Sequence, residues 1–238
     1  KAIAILLENA LLDDGMILTI ARQCLLVGLR EEDLDFILKA ANLEEQSHKI
    51  SSAIHLYDAI LEFVETFMVD ENQVVSDSMW FIFIKAIERR ASLSLFYPDL
   101  KKINRYLRAA LGAAQRLHDL KAEASLELLI GQNDWMYFQY EQAVQHFSRG
   151  WDIIKEIEDE ELYKRGLKVQ GLTYIIKGQF FKAIEAYEQS LGKLESTDKS
   201  DFHQLIALNM ALCYTQVGMP QRGLGITETI QYHCRKNA

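Results

Sequence analysis

Only two of the 238 residues are proline, Pro98 and Pro220, where an average chain of this length holds about a dozen. Proline marks turns, edge strands and disordered linkers and breaks helix interiors. Its scarcity argues against a loop-rich all-β fold, a collagen-like chain or a disordered tail, and favours long helices joined by short turns. Cysteine is also sparse. Cys24, Cys213 and Cys234 are odd in number and widely separated, which makes neither a disulfide framework nor a zinc site. A reducing, cytoplasmic setting follows as the expectation. Uninterrupted apolar runs are short. Nothing approaches the roughly 18–20 residues needed to span a bilayer, and the apolar start from Lys1 to Leu12 is broken by Glu8 and lacks a cleavage pattern. No membrane contact is expected. The chain opens on lysine, so it reads as a fragment of a longer protein.

Charge is present but uneven. The formal net charge is −8. Residues 1–80 hold five basic and fifteen acidic side chains, whereas residues 81–238 hold 21 and 19. The acidic third repels nucleic acid and the remainder lacks a basic excess, so direct nucleic-acid binding by this segment is not expected.

A period of forty residues organises the C-terminal half. Gly171, Tyr174, Gly178, Phe180, Ala183, Tyr187 and Ser190-Leu191 have counterparts forty residues on in Ala211, Tyr214, Gly218, Pro220, Gly223, Thr227 and Ile230. Forty residues before stand Gly131, Asp134, Phe138, Tyr140, Ala143, Phe147 and Gly150. Ala91, Leu100, Ile103, Leu107 and Ala110-Leu111 fill the slots more loosely one period earlier. Small and aromatic residues that recur together at one spacing predict a pair of antiparallel helices per repeat. Gly171 admits a close neighbour, Gly178 ends the first helix, and Phe180, Ala183 and Tyr187 fall on one stripe of the second.

The stretch from Gly171 to Leu191 resembles the tetratricopeptide repeat in its order small–Tyr–Gly–aromatic–Ala–aromatic–small. The resemblance implies an all-α, right-handed superhelical solenoid of antiparallel helix pairs. The standard repeat is about 34 residues, so second helices longer than usual are expected, near Trp151–Leu162 and Leu191–Phe202. The long period also resembles the helical repeat domains of large bacterial transcription regulators of the maltose regulon activator kind.

The N-terminal half carries the pattern through Ala41, Ile50, Ala53, Tyr57 and Ile60-Leu61. Ten extra residues fall near Met68–Ser78, an expected loop or helix extension, with Ser76 or Asp77 capping the helix that follows. That helix is expected to end at Tyr97-Pro98-Asp99. Residues 1–30 read as two apolar helices split by Asp13-Asp14-Gly15, either a degenerate first repeat or the end of an upstream domain. The whole of 1–238 then reads as one solenoid, with five helix pairs over 31–238, since a single pair cannot bury its own apolar face.

Catalytic motifs are missing. There is no Gly-rich phosphate loop and no His-Glu-x-x-His, so no enzyme, cofactor or metal is expected. His48 and His55, with Glu44 one turn before, share spacing with a metal site, but surface histidines on an acidic helix are the plainer reading. Function is expected on the concave face lined by first helices. The candidate ligand-binding residues there are Lys85, Gln132, Trp135, Met136, Arg165, Lys168, Leu172 and Ile175. Their neighbours on that face are Ser125, Leu128, Ile176, Leu205, Leu208, Leu212 and Thr215, and, with Lys85, Glu88, Ser92, Leu95 and Phe96. Arg165 and Lys168 form its cationic spot, suited to an acidic anchor on a peptide or partner helix. Tetratricopeptide domains that hold acidic chaperone tails use a Lys/Asn/Arg clamp. Lys168 occupies one such slot, but the other basic positions are Leu or Ser. The expected role is a protein- or peptide-binding module acting as the sensor or interaction domain of a cytoplasmic regulatory protein in transcription or signalling. Alternatives are a small-molecule effector domain of an ATP-dependent transcription activator, with a metabolite on the same face, and an assembly scaffold.

Overall fold

The computed structural model describes residues 13–70, 74–93, 100–191 and 201–236. Among these residues every regular element is helical. The chain divides into two compact units, Lys1–Asp119 and Leu120–Ala238.

The first unit contains α1 (Asp14–Val27), a 3-10 turn at Glu31–Asp33, α2 (Leu34–Gln46), α3 (Ile50–Val69), α4 (Asp77–Ser92) and α5 (Leu100–Arg116). The Asp13-Asp14-Gly15 break is a helix start. The Asp13 side chain accepts from the Met16 amide at 2.8 Å and caps α1. The expected helix before it lies outside the described residues. Ser76 caps α4 by accepting from the Met79 amide at 3.2 Å, as its spacing predicts. α3 runs 20 residues and ends at Val69, just inside the surplus stretch, and the next helix begins at Asp77. Tyr97-Pro98-Asp99 lies outside the described residues.

The second unit contains α6 (Leu120–Met136), α7 (Tyr140–Ile154), α8 (Glu160–Ile176), α9 (Phe180–Leu191), α10 (Asp201–Gln216) and α11 (Pro220–Lys236). They pack as hairpins α6/α7, α8/α9 and α10/α11, and the first helices α6 and α8 also touch. Pro220 is the first residue of α11, where its missing N–H costs no helical bond.

Two devices make the repeat. The first is the small residue on the first helix facing an aromatic ring on the second. A Cβ on Gly131 would collide with the Phe147 ring, and one on Gly171 with the Tyr187 ring. Each ring is buried, which stabilises its hairpin by about 1.5–3 kcal/mol. In α10/α11 the sides exchange. Gly223 lies on the second helix, and a Cβ there would sit 2.7 Å from the Ala211 carbonyl oxygen.

The second device is the turn. Between α8 and α9, the Lys177, Gly178 and Gln179 amides donate to the carbonyls of Thr173, Ile175 and Tyr174. Gly178 has φ 68°, a left-handed conformation that closes the helix end. The same pattern recurs around Gly218, Phe138, His48 and His118. The last three are not glycine, so these turns carry the steric cost of a left-handed L-residue, about 1–2 kcal/mol each.

Neighbouring repeats are tied by polar bonds spaced close to the period. In the first unit the buried Tyr57 hydroxyl donates to Glu45 Oε2 at 2.7 Å, and Glu45 also accepts from Arg89 Nε at 3.1 Å. Tyr106 donates to Glu65 Oε2 at 2.6 Å, and Lys102 pairs with Glu62 at 2.6 Å. Burial and the adjacent carboxylates push both tyrosine hydroxyls above their ordinary range.

Candidate functional site

The first helices of the second unit gather most of the residues expected to face a ligand. On α8, Arg165 is half-buried and donates Nη2 to Ser125 Oγ on α6 at 3.1 Å. The two residues are one period apart, so the bond joins equivalent turns of successive first helices. Lys168, three residues further along α8, is half-buried as well. Burial, and then repulsion from Arg165, brings its ammonium down to about 8 from the usual lysine value. Gln132 and Met136 on α6 are half-buried. Trp135 lies against the core of Ala124, Leu128, Phe147, Val169 and Leu172. Ile175 packs partly against the next core, of Ala183, Tyr187, Ile206 and Met210. On α10, Leu208 and Leu212 are exposed.

Two expected positions fall elsewhere. Leu172 is a packing residue, 4% exposed within the core cluster. Its position on α8 turns toward Leu128 and Val169, so its side chain fills the repeat interface and presents no face to a ligand. Leu128 and Ser125 are likewise buried. Lys85 belongs to the first unit. It is exposed on α4, with Nζ 5.1 Å from the centre of the Phe81 ring. Leu95 and Phe96 lie outside the described residues.

The sequence also contains polar groups whose assembly its spacing does not announce. Glu127, Asp134 and His146 are buried together between α6 and α7. The imidazole Nδ1 of His146 donates to Glu127 Oε2 at 2.6 Å, and Nε2 lies 3.7 Å from Asp134 Oδ2. Asp134 occupies the slot of Tyr174, a departure visible in the repeat alignment, but nothing along the chain points from it to His146. This cluster is buried within the hairpin. In the first unit, Glu44 is buried beside Lys49 and Arg22. His48 is spent on the left-handed turn after α2, so Glu44, His48 and His55 do not form a metal cluster among the described residues. Cys213 is buried among the α9/α10 core side chains, and burial pushes its thiol up to about 11, far from the reactive thiolate range.

No protein-family model matches the chain, and no curated protein matches its sequence. Solved structures match its fold. BtubC (BKLC) from P. vanneervenii superimposes with a TM-score of 0.57 at 13% identity, covering 94% of this chain and 90% of that one. A Podosopora anserina putative kinesin light chain, with nearly identical TPR-like repeats, gives 0.53 at 14% identity, covering 87% and 98%.

The fold is an all-α helical-repeat solenoid of the tetratricopeptide type. The likeness reaches the repeat and stops there. None of these comparisons supports the further resemblance to maltose regulon activators. Within the tetratricopeptide frame, the face of first helices in the second unit stands out for its two close cations beside apolar side chains. No described helix is long and apolar enough to cross a membrane.

Proposed function

We propose that this chain is a protein-interaction module that docks a peptide or partner helix on the first-helix face of its second unit. An acidic residue of the partner is the anchor, held by Arg165 and Lys168. Trp135, Met136 and Ile175 supply an adaptable apolar wall beside it. The observation that carries this reading is the placement of two half-buried cations, Arg165 and Lys168, one turn apart on the first-helix face, with Arg165 reaching Ser125 on the preceding first helix. Two half-buried cations one turn apart repel each other, and a carboxylate placed between them relieves both the repulsion and part of the desolvation.

The reading fixes a pH dependence. In the unliganded chain Lys168 is charged below about pH 8. An acidic anchor favours the charged form and raises the lysine in the complex. Affinity is therefore full below pH 8, falls as pH rises through 8, and levels off above the raised value. Fluorescence anisotropy with labelled acidic peptides tests this. Arg165→Ala and Lys168→Ala each weaken binding about tenfold, the ~1.4 kcal/mol expected for a charge-assisted bond. Unchanged affinity in both variants removes the cationic anchor.

The wider setting is part of the same proposal: the module serves as the interaction or sensor region of a larger cytoplasmic regulatory protein. The separate, buried, unbridged Cys24 and Cys213 support an intracellular setting. The register Ile103, Ala143, Ala183, Gly223 runs through the junction at Asp119 and supports reading both units as one repeat array.

A further inference from the structure

In the first unit, α1, α2 and α3 frame a half-open cleft of about 290 Å³, whose rim includes the exposed Arg22, Ser51, Ser52 and His55. Its apolar wall is Leu18, Leu25 and Leu56, and Glu44 reaches it from α2. Glu44 is 2% exposed, yet its Oε2 accepts no hydrogen bond among the described residues. Lys49 Nζ stands 3.4 Å from Oε2, and Arg22 Nη2 stands 3.8 Å from Oε1. Both distances exceed the 2.7–3.2 Å of a good N–H···O bond, and both cationic side chains are more than half exposed. A buried carboxylate ordinarily accepts several hydrogen bonds. The missing donor has room to arrive through the cleft.

The surrounding charges narrow what can bring it. A simple amine satisfies Glu44 but meets Arg22 and Lys49 as like charges. A simple carboxylate suits those cations but meets Glu44. A molecule carrying both charges suits all three. Ser51 and Ser52 line the same cleft from the first turn of α3, the helix end that favours an anion. The volume is that of about ten waters at ~30 Å³ each, enough for one residue.

We propose that this cleft binds a single free α-amino acid with an apolar side chain. Its ammonium donates to Glu44, its carboxylate lies at the first turn of α3 beside Arg22, and its side chain rests on Leu18, Leu25 and Leu56. This site is separate from the peptide face of the second unit, and either can fail without the other.

Calorimetric titration of the full chain with free apolar amino acids, leucine and phenylalanine among them, is the test. N-acetyl-leucine, lacking the ammonium, and leucinamide, lacking the carboxylate, are the comparison ligands. At least one free amino acid binds at micromolar to low-millimolar Kd, and both charge-stripped forms bind ten-fold or more weakly. Glu44→Gln weakens binding by at least tenfold. Ser52→Trp, at an exposed position of the lining, blocks entry without disturbing the core, and keeps the site testable if Glu44→Gln fails to fold. No heat from any free apolar amino acid, equal binding of the stripped forms, or undiminished binding by Ser52→Trp overturns the proposal.

Discussion

The hairpins α6/α7 and α8/α9 are built to one plan and filled with opposite chemistry. Each sets a glycine against an aromatic ring, Gly131 on Phe147 and Gly171 on Tyr187. Around that contact, α8/α9 places Leu167, Tyr174 and Ala186 where α6/α7 places Glu127, Asp134 and His146. Both sets are largely buried. The apolar set gains from leaving water. The polar set is tolerated because imidazole and carboxylates arrive together, and each is costly without the others. One backbone thus accepts either an oil-filled or an ionisable interior, provided the small-against-aromatic contact is kept.

The largest break comes from removing one member of the polar set. His146→Ala leaves Glu127 and Asp134 buried without their imidazole and destabilises the chain by about 3–5 kcal/mol, seen as a lower denaturant midpoint. Copying the other hairpin sharpens the point. The combined change Glu127→Leu, Asp134→Tyr and His146→Ala recovers wild-type stability or better, and a mutant cycle over the three shows strong non-additivity. Additive losses would mean the three side chains do not act as a unit.

A smaller break tests the shared contact. Gly171→Val drives methyl groups into the Tyr187 ring and costs about 1–3 kcal/mol. Gly112→Ala, in α5 with open space around it, gains up to about 1 kcal/mol from helix propensity alone. Equal effects at the two glycines would refute the close-approach role of Gly171. The smallest effect distinguishes the two turns. Phe138 holds the left-handed position with φ 62° and is 77% exposed, where Gly178 sits in the other hairpin. Phe138→Gly therefore stabilises by about 1 kcal/mol, read as a rise in melting temperature. Gly178→Phe has the opposite sign.

The repeat was legible wherever small and aromatic residues carry it, so Gly171, Ala183 and Tyr187 announce their hairpin from spacing alone. The turns were legible only where glycine marks them. His48, His118 and Phe138 adopt the same conformation without a local signal, because the hydrogen-bonded turn imposes it on them. The proposed site was partly legible. Arg165 and Lys168 follow from the face of a helix, but their partial burial is set by the packing of α6 beside α8. Leu172 shows the limit: at one helix face, a rotation of one position separates a ligand-facing side chain from a packing one. Glu127 and His146 are 19 residues apart on different helices, and no periodicity relates them. Glu44 offered the spacing of a metal ligand, but the turn at His48 takes its companion away.

The bonds that cross from repeat to repeat carry a consequence for how the array is ordered. Lys102 meets Glu62 and Arg105 meets Glu65 forty residues apart, and Arg165 meets Ser125 at the same interval. The core contacts repeat one plan, a small residue against a facing ring, in successive hairpins. The rim contacts are particular to one predecessor. Shuffled repeats would each present their rim to the wrong address. Sequence order in this molecule is written in charge rather than in volume, and concentrated salt would blur it while leaving the stacking intact.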